Sequence, residues 1–167
     1  TLNINKIKRE VNAIIKRQRF TARRCKRASE EEILDIEINK YEEVESINKK
    51  KIPSKIYEFS NGDIYIGKIV NGKMDGIGTY NFVEGIEYIG EFKNDMKNGL
   101  GMCTFKSGNI YIGNFLEDTI NGMGQMVYKS KDEYMGNWLD GKKHGKGIYI
   151  WRDNSMYIGE FKNRSEE

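Results

Sequence analysis

The sequence predicts a mainly β protein: an elongated single-layer array of antiparallel β-hairpins that follows an α-helical N-terminal extension. Three observations support this prediction. A tyrosine recurs at intervals of 23 residues, the segments around it alternate at period two, and all 18 glycines of the chain lie between Gly62 and Gly159. A fixed period of about 20–50 residues is typical of repeat architectures, and alternation at period two is typical of strands. The glycine-free residues 1–58 therefore differ in kind from the rest.

The N-terminal extension covers residues 1–52. Its sequence predicts two helices, since neither glycine nor proline interrupts it. We expect a basic helix over about 4–28 and an acidic helix over about 30–50. Ser29 and Glu32 form a capping box at the start of the second helix, in which the serine hydroxyl accepts from a free backbone N–H and the glutamate reaches back. The formal net charge of +3 therefore conceals two blocks of opposite charge.

The basic helix carries an apolar stripe amid positive charge, and three interpretations of it remain open. The stripe packs on the repeat array or on a partner helix; it binds a calmodulin-like protein, whose groove accepts apolar anchors at this spacing; or it lies on an anionic membrane surface. We do not expect nucleic-acid binding, because the basic block lies outside the aromatic-rich part of the chain. The residues expected to contact the protein or lipid are Ile7, Val11, Ile14, Phe20, Arg17, Arg19, Arg23 and Arg24.

Residues 53–58 are expected to form a linker, and residues 59–167 an array of four to five 23-residue units. In each unit Tyr-x-Gly-x-aromatic predicts one strand and Gly-x-Gly predicts the next, with the named residues on one face. We expect a loop of roughly six to eight residues between the two strands. Turns such as Asn61–Gly62 and Glu84–Gly85 connect one unit to the next. The next loop glycine would fall just after Glu167, so we expect the array to be cut in mid-repeat.

These phased positions resemble the MORN family (membrane occupation and recognition nexus repeats), whose pattern is Tyr-x-Gly-x-aromatic followed by Gly-x-Gly on the same period. The resemblance covers Phe59 to Asn163. It implies a single-layer array of hairpins with a groove on one face, used as a scaffold in cytoskeletal, axonemal or membrane-associated assemblies. The residues that would line this partner groove are Tyr65, Ile69, Phe82, Tyr88, Phe92, Phe105, Tyr111, Phe115, Tyr128, Tyr134, Trp138, Trp151, Tyr157 and Phe161.

One position departs from the family pattern. Members usually carry a charged or polar residue between the tyrosine and the glycine, whereas this chain carries an apolar residue each time. Because alternation directs these residues to the opposite face, we expect an apolar second face that something covers. Candidates are the N-terminal helices, a second copy of the chain or another protein. The five residues are Ile66, Ile89, Ile112, Met135 and Ile158.

Catalysis, metal binding and cofactor binding find no support in the sequence. His144 is the only histidine and takes a loop position that is Asp75 in the first unit, so no Ser/His/Asp set can be built. The Gly-x-Gly pairs lack the Lys-Ser/Thr of a phosphate-binding loop. Cys25 and Cys103 are too few for a disulfide framework or a Cys-based zinc site, which favours a reduced, cytoplasmic setting. We therefore expect no enzyme activity and no cofactor.

The expected function is a non-catalytic protein–protein interaction scaffold, cytoplasmic and associated with the cytoskeleton or a membrane. Its partners would be other proteins of a larger assembly, with a helix in the groove as one option. Two alternatives remain open. One is a regulatory or targeting segment of a larger enzyme such as a phosphatidylinositol phosphate kinase. The other is a membrane-surface adaptor that binds anionic lipid through the basic helix.

Overall fold

A computed structural model describes residues 55–164, which form one antiparallel sheet of ten strands. Each strand pairs with its neighbours in chain order, so the sheet is a meander of hairpins. This confirms the mainly β prediction for these residues, among which no helix occurs. The predicted helices, with the contact residues named for the basic one, lie outside the described residues. The strands are β1 (Ile56–Glu58), β2 (Ile64–Val70), β3 (Lys73–Asn81), β4 (Glu87–Lys93), β5 (Met96–Thr104), β6 (Ile110–Leu116), β7 (Thr119–Val127), β8 (Glu133–Leu139), β9 (Lys142–Ile150) and β10 (Met156–Arg164).

The sheet begins earlier than the repeat pattern predicts. Strand β1 lies in the segment expected to be a linker, and Tyr57 in β1 pairs with Tyr65 in β2. The short strand therefore supplies the first edge of the array.

The loop within each hairpin is a two-residue turn, so the longer loop predicted from the sequence is wrong. In the first hairpin Val70 pairs with Lys73, and Asn71 and Gly72 lie between them. Both turn residues have positive φ, 50° and 78°, the backbone that matches the right-handed twist of paired strands. The remaining residues of the expected loop join β3, where a register shift around Gly76 accommodates the extra length.

Three cross-strand rows make up one face of the sheet, called here the first face. A glycine row runs from Gly67 to Gly159, and a row of larger side chains runs beside it from Ile69 to Phe161. The third row, the tyrosine row, passes through all ten strands without a break. Its members are Tyr57, Tyr65, Tyr80, Tyr88, Cys103, Tyr111, Met126, Tyr134, Tyr149 and Tyr157.

Four buried tyrosines of this row each lie on two glycines. For Tyr88, a Cβ added at Gly90 in the same strand would lie 2.5 Å from the hydroxyl oxygen, and one added at Gly101 in β5 would lie 2.5 Å from Cε2. Side chains at these positions would collide with the ring, which explains why glycine stands inside two strands. The two glycines pair with each other across the strands. Tyr65, Tyr111 and Tyr134 are held in the same way.

Turn carboxylates tie neighbouring hairpins together. Asp118, in the turn between β6 and β7, donates its backbone N–H to Lys97 O at 2.9 Å and accepts the Lys97 N–H on Oδ1 at 2.8 Å. Asp95 forms the same two bonds with Met74, at 3.1 and 2.7 Å. Gly141 keeps the backbone bond, at 2.9 Å, but has no side chain to accept the second. At this last junction Asn121 Nδ2 instead donates to Asp140 Oδ1 at 3.4 Å, so the side-chain bond has a different donor and a longer distance.

Gly101→Ala is expected to destabilise the sheet by about 2 kcal/mol or more, because the added methyl group would displace the buried Tyr88 ring. Gly141→Ala is the matched control. It adds the same group at a positive φ of 75°, with no described atom within 4 Å, and should cost about 1 kcal/mol. Urea unfolding followed by circular dichroism measures both losses. Equal losses would contradict the ring–glycine contact.

Asp118→Gly removes the carboxylate that accepts the Lys97 N–H, and glycine adopts the positive φ of 68° without strain. It is expected to lower the free energy of unfolding by about 1 kcal/mol. Gly141→Asp supplies the missing acceptor, and the gain of about 1 kcal/mol is partly offset by the cost of a side chain at a φ of 75°, so its free energy of unfolding should equal or slightly exceed that of the wild type. Differential scanning calorimetry of the two variants measures the effect. A lower melting temperature for Gly141→Asp would show that the carboxylate does not couple hairpins.

Candidate interaction surface

Most of the residues predicted to line the groove are buried and fill the first face themselves. Tyr88 contacts Phe92 and Phe115 edge to face, with ring centroids 5.1 and 5.2 Å apart. Tyr111 packs in the same way between Phe115 and Trp138, at 5.2 and 5.6 Å. These rings pack against one another and form a floor under the first face; that they contact a partner stays a prediction. The floor consists of the buried residues Tyr65, Tyr88, Phe92, Tyr111, Phe115, Tyr134, Trp138 and Phe161, with Ile69 half-buried against them.

A second set of rings is partly exposed beside the floor and forms the surface open to a partner. Tyr80 contacts Phe59 and Phe82, with ring centroids 5.8 and 4.4 Å apart. Tyr149 makes the equivalent contact with Trp151, at 5.0 Å. We call the five aromatic residues spaced by 23 positions the outer ring row. They are Phe59, Phe82, Phe105, Tyr128 and Trp151.

The predicted groove lining did not include Tyr80 and Tyr149, although both lie in the tyrosine row. Cys103 and Met126 occupy the two intervening repeats, so this series lacks the regularity that identifies the others. Its first member, Tyr57, lies in the segment expected to be a linker. Tyr57, Tyr80 and Tyr149 are separated by whole multiples of the 23-residue period, and this spacing could have identified Tyr80 and Tyr149.

Two lysines lie over the rings of the first face, and the sequence analysis did not predict their role. Lys97 Nζ is 5.8 Å from three ring centroids, and Lys143 Nζ is 4.9–5.6 Å from three others. A ring quadrupole attracts an ammonium group at such distances. Met74 and Ile120 hold the same position in the alternate repeats. The rings are those of Phe82, Tyr88 and Phe115 for the first lysine, and of Tyr128, Tyr134 and Tyr149 for the second.

A cavity of about 410 Å³ lies on the first face beside β9 and β10. Tyr157 is 45 % exposed there, whereas Tyr134, its counterpart one repeat earlier, is 0 % exposed. The cavity is lined by Lys143, Tyr149, Trp151, Tyr157, Glu160 and Phe161.

The five apolar residues predicted for the second face lie there in one cross-strand row. Ile89, Ile112 and Met135 are buried, Ile66 is half-buried and Ile158 is exposed. That something covers this face stays a prediction. The row is completed by Ile56, Thr79, Met102, Gln125 and Ile148.

Gln125 introduces a buried amide into this apolar row. Its Nε2 donates to Glu133 Oε2 at 3.1 Å, and its Oε1 has no hydrogen-bond partner among the described residues. Met102 occupies the same position one repeat earlier. An unpaired buried acceptor lowers the free energy of unfolding, so Gln125 makes the third repeat less stable than an apolar residue of the same size would.

Burial raises the pKa of several buried groups of the tyrosine row. Burial raises the pKa of Tyr65 to about 12, and burial together with the hydrogen bond donated to Asp63 raises the pKa of Tyr80 to about 12. Burial raises the pKa of Cys103 to about 11, which keeps its thiol protonated at neutral pH. The pKa values of Tyr88, Tyr111 and Tyr134 are also raised by burial, well above the usual range.

Residues 55–164 contain no group of three or more His, Cys, Asp or Glu side chains that could hold a metal ion. Within the same part of the chain, no helix has the length and apolar character needed to span a membrane.

The fold and its rows define a class of protein, an array of β-hairpins that repeats every 23 residues. The family model described as MORN repeat matches the chain at four consecutive segments, residues 65–86, 88–110, 111–133 and 134–156. The chain therefore belongs to the MORN-repeat family, which confirms the resemblance found in the sequence. No curated protein matches the chain.

The stability of the sheet is expected to fall as the pH rises above about 10. Unfolded phenols lose their protons near pH 10, whereas Tyr65 keeps its proton up to about pH 12 in the fold. Between these values the unfolded state binds fewer protons, so the free energy of unfolding decreases with pH. Urea unfolding between about pH 8 and about pH 11 measures the decline. Tyr65→Phe should make the decline less steep while the other buried groups maintain the rest of it, and an unchanged slope would count against a buried Tyr65 hydroxyl.

Proposed function

We propose that this protein is a non-catalytic protein-interaction scaffold whose first face binds other proteins. The observation that supports the proposal is the outer ring row, a line of partly exposed aromatic rings along the array. Contiguous apolar surface on a folded protein marks interaction sites. Aromatic side chains also contribute a large share of the binding energy at protein interfaces.

The floor beneath the outer ring row supports the same proposal. The Tyr88 hydroxyl donates to Glu91 O at 2.9 Å, and the Tyr134 hydroxyl donates to Asn137 O at 2.9 Å. These rings are therefore fixed at the tip by a hydrogen bond and along the ring by edge-to-face contacts. A surface built on such a base is preorganised, and it loses little conformational freedom when a partner binds.

We place the scaffold in a larger cytoplasmic assembly associated with the cytoskeleton or a membrane. Membership of the MORN-repeat family supports this placement. Repeat arrays present an extended surface along which several partners can bind side by side.

The test compares two double variants that remove partly exposed apolar side chains from opposite faces of the sheet. Phe59→Ser with Trp151→Ser alters the outer ring row, where the two side chains are 40 % and 41 % exposed. Leu116→Ser with Leu139→Ser is the control on the second face, where the side chains are 51 % and 40 % exposed. Phe59 and Trp151 also pack on Tyr80 and Tyr149, so urea unfolding of both double variants first establishes that each is folded.

The measurement is quantitative mass spectrometry of proteins retained by each full-length variant from a lysate of the source cells. We expect the ring variant to lose proteins that the wild type and the leucine variant retain. If the ring variant and the wild type retain the same proteins, the first face is not the binding surface.

A further inference from the structure

We propose that Asn71, in the turn of the first hairpin, is a site of spontaneous deamidation, in which water converts its side-chain amide into a carboxylate. The turn joins Val70 to Lys73 and has the sequence Asn71–Gly72. Asparagine is among the thermolabile residues of proteins. It reacts fastest ahead of glycine, because no side chain there hinders the backbone nitrogen. The inference goes beyond the proposed scaffold function and does not depend on it.

The reaction takes place between neighbouring groups of the chain. The Gly72 backbone nitrogen, once a hydroxide ion has removed its proton, attacks Asn71 Cγ, and the bond from Cγ to Nδ2 breaks. Nδ2 takes a proton from water and leaves as ammonia, and a succinimide ring remains. Water then opens this ring at one of its two carbonyl groups. The net change consumes one water and releases one ammonia, and nothing is oxidised or reduced.

The chain contains four Asn–Gly pairs, and the structure distinguishes them. They begin at Asn61, Asn71, Asn98 and Asn121. Asn71 and Gly72 are both exposed and lie outside the strands, whereas Asn98 lies in β5 and Asn121 in β7, where each is half-buried. A strand holds the backbone of its residues in the sheet, so the reacting nitrogen and Cγ meet there only after the strand opens locally.

Asn61 is exposed as well, but hydrogen bonds hold both reacting groups of its pair. Asn61 Nδ2 donates to Asp63 Oδ2 at 2.8 Å, and Asn61 Oδ1 accepts the Asp63 N–H at 3.0 Å. The Gly62 N–H donates to Phe59 O at 2.9 Å. No described residue holds the side-chain amide or the glycine N–H of the Asn71–Gly72 pair in this way.

The other three hairpin turns are tied to the repeat before them. Asp95, Asp118 and Gly141 hold the second position of these turns, and each donates its backbone N–H to a carbonyl of that repeat at 2.9–3.1 Å. Gly72 holds this position in the first turn, where the described part of the chain provides no such bond. Fewer described hydrogen bonds therefore oppose the reaction in the first turn than in the others.

The fold accepts aspartate at this turn position. Asp140 and Gly141 form the same turn in the fourth hairpin, with φ values of 49° and 75°, against 50° and 78° at Asn71 and Gly72. Deamidation to aspartate therefore gives the first turn a sequence that the sheet already contains, and it adds one negative charge.

The second product, isoaspartate, does not fit the turn. It forms when water opens the ring at the main-chain carbonyl, so that the chain then runs through the former side chain and is one methylene group longer. A two-residue turn fixes the register of the strands that it joins. The longer chain therefore disturbs the pairing of Val70 with Lys73, and this form should melt at a lower temperature than the aspartate form.

The test follows deamidation of the full chain in mildly alkaline buffer, once folded and once in urea. Digestion and mass spectrometry locate each amide that has become an acid, and methylation by protein isoaspartate methyltransferase detects isoaspartate. In urea we expect the four Asn–Gly pairs to react at similar rates. In the folded protein Asn71 should keep much of that rate, while the other three pairs react at least about tenfold more slowly. If Asn71 reacts as slowly as Asn98 and Asn121 in the folded protein, the proposal is wrong.

Two variants that copy other turns of the sheet are the controls. Gly72→Asp copies Asn94–Asp95 and places a side chain beside the attacking nitrogen, so deamidation of Asn71 should become several-fold slower, in the folded protein and in urea alike. An unchanged rate would overturn attack by the Gly72 nitrogen, and the rate in urea decides this even if the variant does not fold. Asn71→Asp copies Asp140–Gly141 and should melt at the wild-type temperature. A lower melting temperature would overturn the fit of the aspartate product.

Discussion

The contact between a tyrosine ring and two glycines is the constraint on which the sheet depends. The ring of Tyr111 occupies the space that side chains at Gly113 and Gly124 would need, so both strands must carry glycine at this register. The two glycines then face each other across the strands, which fixes how β6 and β7 pair. The hydroxyl reaches over them to donate to Asn114 O at 3.0 Å. One side chain thus sets the register, the close approach of the backbones and the orientation of its own ring.

The ring packing follows from this placement and links each repeat to the next. Tyr65, Tyr88 and Tyr111 each receive the edge of an aromatic ring one repeat further on, at centroid distances of 5.2–5.6 Å. The turn carboxylates connect the same neighbours through the backbone. Contacts therefore run between adjacent hairpins. Stability in such an array is approximately a sum of repeat and neighbour terms, so a change in one repeat should act mainly on that repeat and those beside it.

The sequence was sufficient for the strands and their faces, because period-two alternation around regularly spaced tyrosines has one structural meaning. It was insufficient for the hairpin turns, since Asn94–Asp95 and Glu117–Asp118 adopt positive φ without any glycine. It also could not separate the floor from the surface. Spacing identifies which residues share a face, whereas burial depends on which ring packs over which. The sequence analysis did not identify Lys97 and Lys143, because Met74 and Ile120 occupy the same position in the alternate repeats. The position therefore shows no consistent residue type.

The division into floor and surface also explains where such an array can vary. Tyr134 and its two glycines leave no room for substitution, and Trp138 must fit the space between neighbouring tyrosines. A different position lies over the rings, and it is held by Met74, Lys97, Ile120 and Lys143. It accepts either an apolar side chain or a lysine, because the lysine stem packs as a hydrocarbon while its ammonium group stays near water. A repeat can therefore change the charge at this position without disturbing the ring–glycine contact.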